Sequence, residues 1–192
     1  MARTYRQARR GEAAEETRRR IVDACFDLHG EQGMVATTMK QIAQRAGVAV
    51  GSVYHHFPTY DDMIQACGRH AFSMAPLPSM ALIEGVTDRS EKVRRLALAF
   101  FRLFDRLKAF GVARAEQDLL PVLRPFVEDE KRLRESLAAA VVEDPAAAAT
   151  VAALLDHGVY EALRLQGFSA DEAAARIAEV ANAWLAAPPT RP

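Results

Sequence analysis

With only two cysteines in 192 residues, the chain has no disulfide framework to hold it together. Cys25 and Cys67 lie far apart, outside any CxxC or Cys/His spacing, and read as reduced, buried and inert thiols of a cytoplasmic protein. Ten glycines and nine prolines are too few for a collagen-like or low-complexity chain. The longest stretch without Asp, Glu, Lys or Arg, Ala46–Tyr60, contains two histidines and a proline. It falls short of the ~18–20 apolar residues of a membrane span. The N-terminus is polar and Arg-rich rather than cationic and then apolar, so no signal peptide is expected. No segment alternates between apolar and polar with period two, and none therefore reads as a strand. Net charge is also absent, but only in the sum. Residues 1–57 carry nine Lys/Arg against six Asp/Glu, and residues 58–192 carry sixteen against nineteen. The charge is polarised along the chain.

What is present is helical periodicity. The opening MARTYRQARRG is a basic arm without an apolar stripe, expected to lack fixed structure on its own. From Glu12 to about Gln32, Ile21, Cys25 and Leu28 repeat at helical spacing, and Gly30 and Gly33 mark the end. Thr38 is suited to cap a short helix with Met39, Ile42, Ala43 and Ala46 inward, because its side-chain oxygen can satisfy an orphan N–H. Gly47 stops that helix, as a residue that tolerates positive φ. A third short helix fits Gly51 to Phe57, with Val53 and Phe57 at i and i+4. Pro58 breaks it, and Thr59 can cap a fourth with Asp61 and Asp62 in its first turn. Asp88 and Glu91 predict a capping box for a run to about Phe110, striped by Leu96, Phe100, Leu103, Phe104 and Leu107. Asp144 and Pro145 start a helix expected to continue to Gln166. Ser169 and Glu172 open a last helix to about Ala186. The fold class is all-α with about nine helices.

Two short helices joined through Ala46-Gly47-Val48 form the core of a helix-turn-helix, which places its second helix in the DNA major groove. Here the unit sits inside a longer pattern. An amphipathic first helix precedes Gly33, Thr37-Thr38, Ile42-Ala43 and Ala46-Gly47-Val48, followed by Gly51-Ser52-Val53-Tyr54-His55-His56-Phe57. Over about residues 17–70 this pattern resembles the DNA-binding domain of the TetR family of bacterial transcriptional regulators. The resemblance implies a basic arm at 1–13, a helix-turn-helix domain with its connecting fourth helix at 14–74, and an effector-binding and dimerisation domain at 75–192. No residue pattern points to a cofactor, a metal or an enzymatic activity. The expected partners are a pseudo-palindromic double-stranded operator, a small-molecule effector and a second copy of the chain. On the same footing, Thr38, Lys40, Val50, Gly51, Ser52, Tyr54, His55, His56 and Tyr60 fall at positions that meet DNA. A phenol or imidazole can donate to phosphate, while short residues let the helix approach closely.

The departures from the pattern matter as much. Ala49 stands where Ser or Thr usually caps the recognition helix, Val50 where polar residues are common, Tyr60 where Lys is common, and Met34 in place of an aromatic. Val50 can meet a thymine methyl but cannot hydrogen-bond a base. These changes support an alternative, a ligand-binding or scaffold protein of the same fold with weakened operator recognition. Arg3, Arg6, Arg9 and Arg10 can supply the missing cations to phosphates or the minor groove. Glu15–Arg19 and Glu16–Arg20 are i, i+4 pairs and draw two arginines of the Arg18-Arg19-Arg20 run toward a solvated helix face. His55 and His56 point ~100° apart on a helix and lack a third ligand at suitable spacing, so they suggest no metal site. Asp156–His157 has no nucleophile in a recognisable motif, so no active site is read.

An effector cavity is apolar with few polar anchors. Phe100 and Phe104, with the polar Arg114, Gln117, His157 and Tyr160, are the candidates for one. For the dimer, one face carries Val151, Leu155, Gly158 and Ala162 and the other Ile177, Val180, Ala181 and Trp184. Small residues there permit close helix approach and Trp184 offers an anchor. The family pairs its last two helices in a symmetric four-helix interface. The four arm arginines give the first prediction. Deleting residues 1–10 is expected to weaken DNA binding and to flatten the slope of log K against log salt by up to ~4. An unchanged slope means that the arm makes no phosphate contact.

Overall fold

The computed structural model describes residues 2–75 and 77–187, with only the backbone described at 2–8 and 10. Among these residues there are ten α-helices, two short 3-10 turns and no strand. The helices are α1 (Ala2–Gln32), α2 (Met39–Ala46), α3 (Val50–His56), α4 (Tyr60–Met74) and α5 (Arg89–Arg106). They continue with α6 (Lys108–Glu116), α7 (Arg124–Ala139), α8 (Pro145–Leu154), α9 (His157–Leu165) and α10 (Ala170–Ala186). No helix among the described residues is long and apolar enough to cross a membrane. The chain forms two compact units, one of residues 1–74 with 112–126 and the other of 75–111 with 127–192.

In the first unit α1 packs on α2 and α4, and α2 on α3. Its core is Ile21, Cys25, Leu28, Ile42, Val53 and Met63, each almost fully buried. Thr38 caps α2 in a capping box with Gln41, and Gly47 closes the helix at φ 64°, a left-handed conformation that glycine adopts without a Cβ penalty. The basic opening segment differs from expectation. Its backbone is already helical from Ala2, because Ala, Arg and Gln are good helix formers.

The second unit is organised around α5 against α10. Phe100 and Phe101 on α5 are fully buried, and α10 turns Ala173, Ala174, Ile177, Ala178 and Ala181 inward. Short alanines let the two helices approach closely. Arg102 binds Asp171 with two bonds of 2.7 and 2.6 Å. Asn182 donates to the Ser90 carbonyl at 3.1 Å, and the two contacts fix an antiparallel pair. The Ser169–Glu172 capping box starts α10 as expected.

Two expected helices are each interrupted. The run from Asp88 breaks at Leu107, which leaves the helical region at ψ 62°. Asp88 caps α5 alone there, because Glu91 pairs with Arg94 and Arg95 instead. The run from Pro145 breaks at Leu155–Asp156. Arg134, buried on α7, donates to Glu130 at 2.9 Å, to the Ala152 carbonyl and to Asp156 at 2.9 Å. Asp156 then caps α9 through the Gly158 amide at 2.8 Å. A guanidinium therefore takes a carbonyl in the last turn of one helix and orients the cap of the next.

The proposed dimer faces need correction. Val151, Leu155, Ile177 and Ala181 are buried within the chain itself, so they cannot form a surface shared with a second copy. On α10 the inward residues at i and i+4 are Ile177 and Ala181, whereas Val180 and Trp184 form the outward stripe, 54% and 46% exposed. Gly158 and Ala162 are also exposed.

The buried Arg134 generates the second prediction. Arg134→Met is expected to cost about 3–5 kcal/mol, because it removes the guanidinium that faces the buried Glu130 carboxyl. Adding Glu130→Gln should recover much of the loss. Urea unfolding of the three proteins is the measurement, and equal midpoints for wild type and Arg134→Met would show that Arg134 does not hold the α8–α9 junction.

Candidate nucleic-acid interface

Helix α3 has one face in the core and one in solvent. Val53 is fully buried and Phe57, just past the end of the helix, is 2% exposed. Both follow from their i, i+4 spacing on a seven-residue helix. Val50, Gly51, Tyr54 and His55 are exposed, and Ser52 and His56 are half-buried. Thr38 and Lys40, at the start of α2, are exposed as well. The Ala49 position has no side-chain cap, as its residue type dictates, and only the Ser52 amide to Ala49 carbonyl bond of 2.9 Å closes the first turn. Burial, with His55 and Arg18 close by, holds the His56 imidazole below its ordinary value. At neutral pH it is an uncharged donor.

The arginines of α1 divide by their contacts. Arg19 pairs with Glu16 at 2.7 Å rather than with Glu15. Arg20 turns away from Glu16 and donates to the Ala46 and Gly47 carbonyls at 2.6 and 3.2 Å, where a cation complements the C-terminal end of α2. Arg18 lies over the Phe57 ring, 5.2 Å from its centre. Arg45 grips Glu31 with two bonds of 2.8 and 2.6 Å. Arg9 is exposed, and the side chains of Arg3, Arg6 and Arg10 lie outside the described residues.

Tyr60 is a correction. Its hydroxyl donates inward to the Met34 carbonyl at 2.6 Å and meets His29 Nε2 at 3.0 Å, so it is engaged in the packing of the domain rather than turned outward. Burial raises its pKa, which keeps the hydroxyl protonated. The turn before α2 is held from a second side too. The Glu116 carboxylate accepts the Met34 and Val35 amides at 2.8 and 3.0 Å. It reaches them across Gly33, where φ is 88° and a Cβ would lie 2.6 Å from a Glu116 oxygen.

Behind Tyr60 the structure assembles a group that the sequence reading kept apart. Cys25 Sγ lies 3.8 Å from His29 Nδ1 and 3.4 Å from Nε2, and Cys67 Sγ lies 3.5 Å from Nδ1. All three residues are buried. The hydrogen bond shared by the two thiols lowers the pKa of Cys67 and raises that of Cys25. The Cys25–His29 half is an i, i+4 pair on α1, which corrects the reading of the cysteines as outside any Cys/His spacing; Cys67 arrives only through the packing of α4 on α1.

Of the six effector candidates, Phe100, Phe104, His157 and Tyr160 come together in the second unit. Phe104 stands 5.1 Å from His157 and 5.9 Å from Tyr160 between ring centres, and the Tyr160 hydroxyl donates to Asp105 at 3.0 Å. Arg114 and Gln117 belong to the first unit, where Gln117 donates back to the Arg114 carbonyl at 3.0 Å. A separate cavity of about 310 Å³ opens in the second unit, lined by Leu77, Leu82, Leu98, Leu103, Arg102 and Arg106 among others. None of the six candidates lines it.

A helix-turn-helix with a buried Val53/Phe57 face and an exposed Tyr54/His55 face is the geometry of a DNA-binding domain. Residues 21–67 match the family model described as bacterial regulatory proteins, tetR family. The HTH-type transcriptional regulator SrpR of Pseudomonas putida is 47% identical over 53 residues, 28% of this chain and 25% of that protein. The HTH-type transcriptional repressor KstR of Rhodococcus jostii (strain RHA1) is 31% identical over 55% of either chain. The chain thus spans a quarter to about half the length of these curated relatives. Among solved structures, the multidrug binding protein EbrR complexed with imidazole is similar at TM-score 0.64 and 26% identity. That match covers 91% of this chain and 93% of EbrR. A TetR-family member from Streptomyces coelicolor A3 is similar at TM-score 0.68 and 26% identity, over 88% and 97% of the two chains. Residues 21–67 thus match the tetR-family domain, and the fold of the chain is similar to that of a TetR-family member.

Proposed function

We propose that this chain is a homodimeric transcriptional regulator that binds a pseudo-palindromic operator through α2 and α3 and leaves it when a small molecule binds the second unit. The exposed face of α3 carries this reading. Val50, Gly51, Tyr54 and His55 stand outward at the N-terminal end and middle of a helix whose other face is locked into the core. Two such helices meet half-sites about 34–36 Å apart on one side of the duplex. Repression is supported by the KstR repressors among its relatives.

For the effector, the cavity of about 310 Å³ is favoured over the aromatic cluster, whose rings already fill the space between them. Leucine walls beside arginines suit an amphipathic molecule with an acidic group. EbrR was solved with proflavin and with ethidium, which supports small-molecule control of this fold. Release from DNA requires that the effector bind the non-binding state more tightly, since equal affinity shifts nothing.

The test starts by capturing genomic fragments on the full chain at low and moderate salt. Tyr54→Phe is then expected to weaken binding to the captured site by about 1 kcal/mol, about fivefold, with unchanged folding, because a hydroxyl donor to phosphate is lost. Failure to retain any fragment above non-specific background would favour the scaffold reading instead. For the dimer, Trp184→Ala is expected to raise the dissociation constant by about 2 kcal/mol, about thirtyfold, by removing the aromatic anchor of the outward stripe. Sedimentation over a dilution series measures it, and a variant that stays dimeric would move the interface off α10.

A further inference from the structure

We propose that Cys25, His29 and Cys67 form a site for one thiophilic divalent metal ion inside the DNA-binding domain. The sulfur and ring-nitrogen atoms of these three residues all lie within 4.8 Å of one another, and all three residues are buried. They come from two elements. Cys25 and His29 sit one turn apart on α1, and Cys67 is on α4.

The geometry suits a single ion. With metal–sulfur and metal–nitrogen bonds of ~2.3 and ~2.0 Å, tetrahedral ligation places sulfur and nitrogen ~3.6 Å apart. His29 Nδ1 is 3.5 Å from Cys67 Sγ and 3.8 Å from Cys25 Sγ. The hydrogen bonds also say which nitrogen is free to bind. Tyr60 spends its only proton on the Met34 carbonyl at 2.6 Å. Its oxygen must therefore accept at 3.0 Å from His29 Nε2, which puts the ring proton on Nε2 and the lone pair on Nδ1, the nitrogen nearer Cys67 Sγ, while Cys25 Sγ lies beside the ring at 3.8 Å from Nδ1 and 3.4 Å from Nε2. Orientation of a ligating imidazole by a bond to its other nitrogen is the usual outer-shell arrangement of metal sites.

The chemistry agrees with the geometry. Two thiolates and an imidazole are soft to borderline donors that select ions such as zinc over calcium or magnesium. Two thiolates and a neutral histidine exactly cancel a divalent charge, so the loaded site is neutral, which its burial demands. Two cysteines and a histidine with one position left over is the composition of open zinc sites. Loading would clamp α1 to α4 directly behind Tyr60, the first residue after the turn that follows α3.

The experiment uses the full chain, reduced and stripped with a chelator, titrated with Co²⁺ as the spectroscopic probe. The expected result is a thiolate-to-cobalt charge-transfer absorption that saturates at one ion per chain, disappears on adding Zn²⁺, and is accompanied by a higher thermal midpoint. Cys25→Ala and Cys67→Ala, each checked for helix content by circular dichroism, should each abolish or sharply weaken the band. Tyr60→Phe retains all three ligands and should keep one-to-one stoichiometry while weakening affinity 10- to 100-fold. Absence of the band in wild-type protein of full helix content overturns the proposal, as does a band that survives Cys67→Ala. Formation of a Cys25–Cys67 disulfide under mild oxidation, with no stoichiometric metal uptake, overturns it in favour of a redox pair.

Discussion

The first unit depends on one turn of backbone, Gly33-Met34-Val35, held from two directions. The Glu116 carboxylate takes two of its amides and the Tyr60 hydroxyl takes its carbonyl. A buried or half-buried turn leaves polar groups that must be satisfied somewhere, and here Glu116 and Tyr60 reach it from outside its own helices, beside the local bonds of the Gly33 amide to His29 and of Thr37 to the Gly33 and Met34 carbonyls. Because α2 begins four residues later with the Thr38 cap, the direction in which the helix-turn-helix leaves α1 is set by these bonds. Arg20 does the same at the other end of α2 by occupying the Ala46 and Gly47 carbonyls. The exposed residues of α3 can then be sparsely charged, since their placement does not depend on their own contacts.

The second unit rests on a different balance. Alanines along α10 carry little surface each, so its packing against α5 relies on close approach rather than on large side chains, with polar ties at Asp171 and Asn182 near its two ends. A costly element is the buried guanidinium of Arg134. Its desolvation is offset only because Glu130, the Ala152 carbonyl and Asp156 all face it. Such an arrangement contributes less to stability than to uniqueness, since it fixes where one helix stops and the next begins.

Features decided within a few residues were legible in the sequence. The Thr38 and Ser169 caps, the Gly47 stop and the buried Val53 and Phe57 all follow from side-chain chemistry acting over one turn. What was not legible depended on partners distant in sequence. The break at Leu155 needs Arg134, more than a dozen positions earlier, and nothing in the alanine-rich run announces it. Tyr60 looked like a groove residue because its position in the pattern is a groove position, yet Met34 and His29 draw its hydroxyl inward. The division of α10 into buried Ile177/Ala181 and outward Val180/Trp184 was hidden because all four are apolar or small. Hydrophobicity alone could not say which side faced the chain's own core.

Gly111 on α6 sets a clearance that no other residue type can keep. A Cβ there would stand 2.8 Å from His157 Cε1 and 2.9 Å from Nε2, while the rings of Phe104 and Phe110, stacked at 5.7 Å and 12°, close on the imidazole from the same neighbourhood. His157 is the first residue of α9, so the imidazole is a spacer between bare backbone on one side and a helix start on the other. One added carbon at position 111 acts as a wedge, and the motion it forces must pass into the ring stack or into the start of α9. The constraint at this position is one of thickness rather than of chemistry.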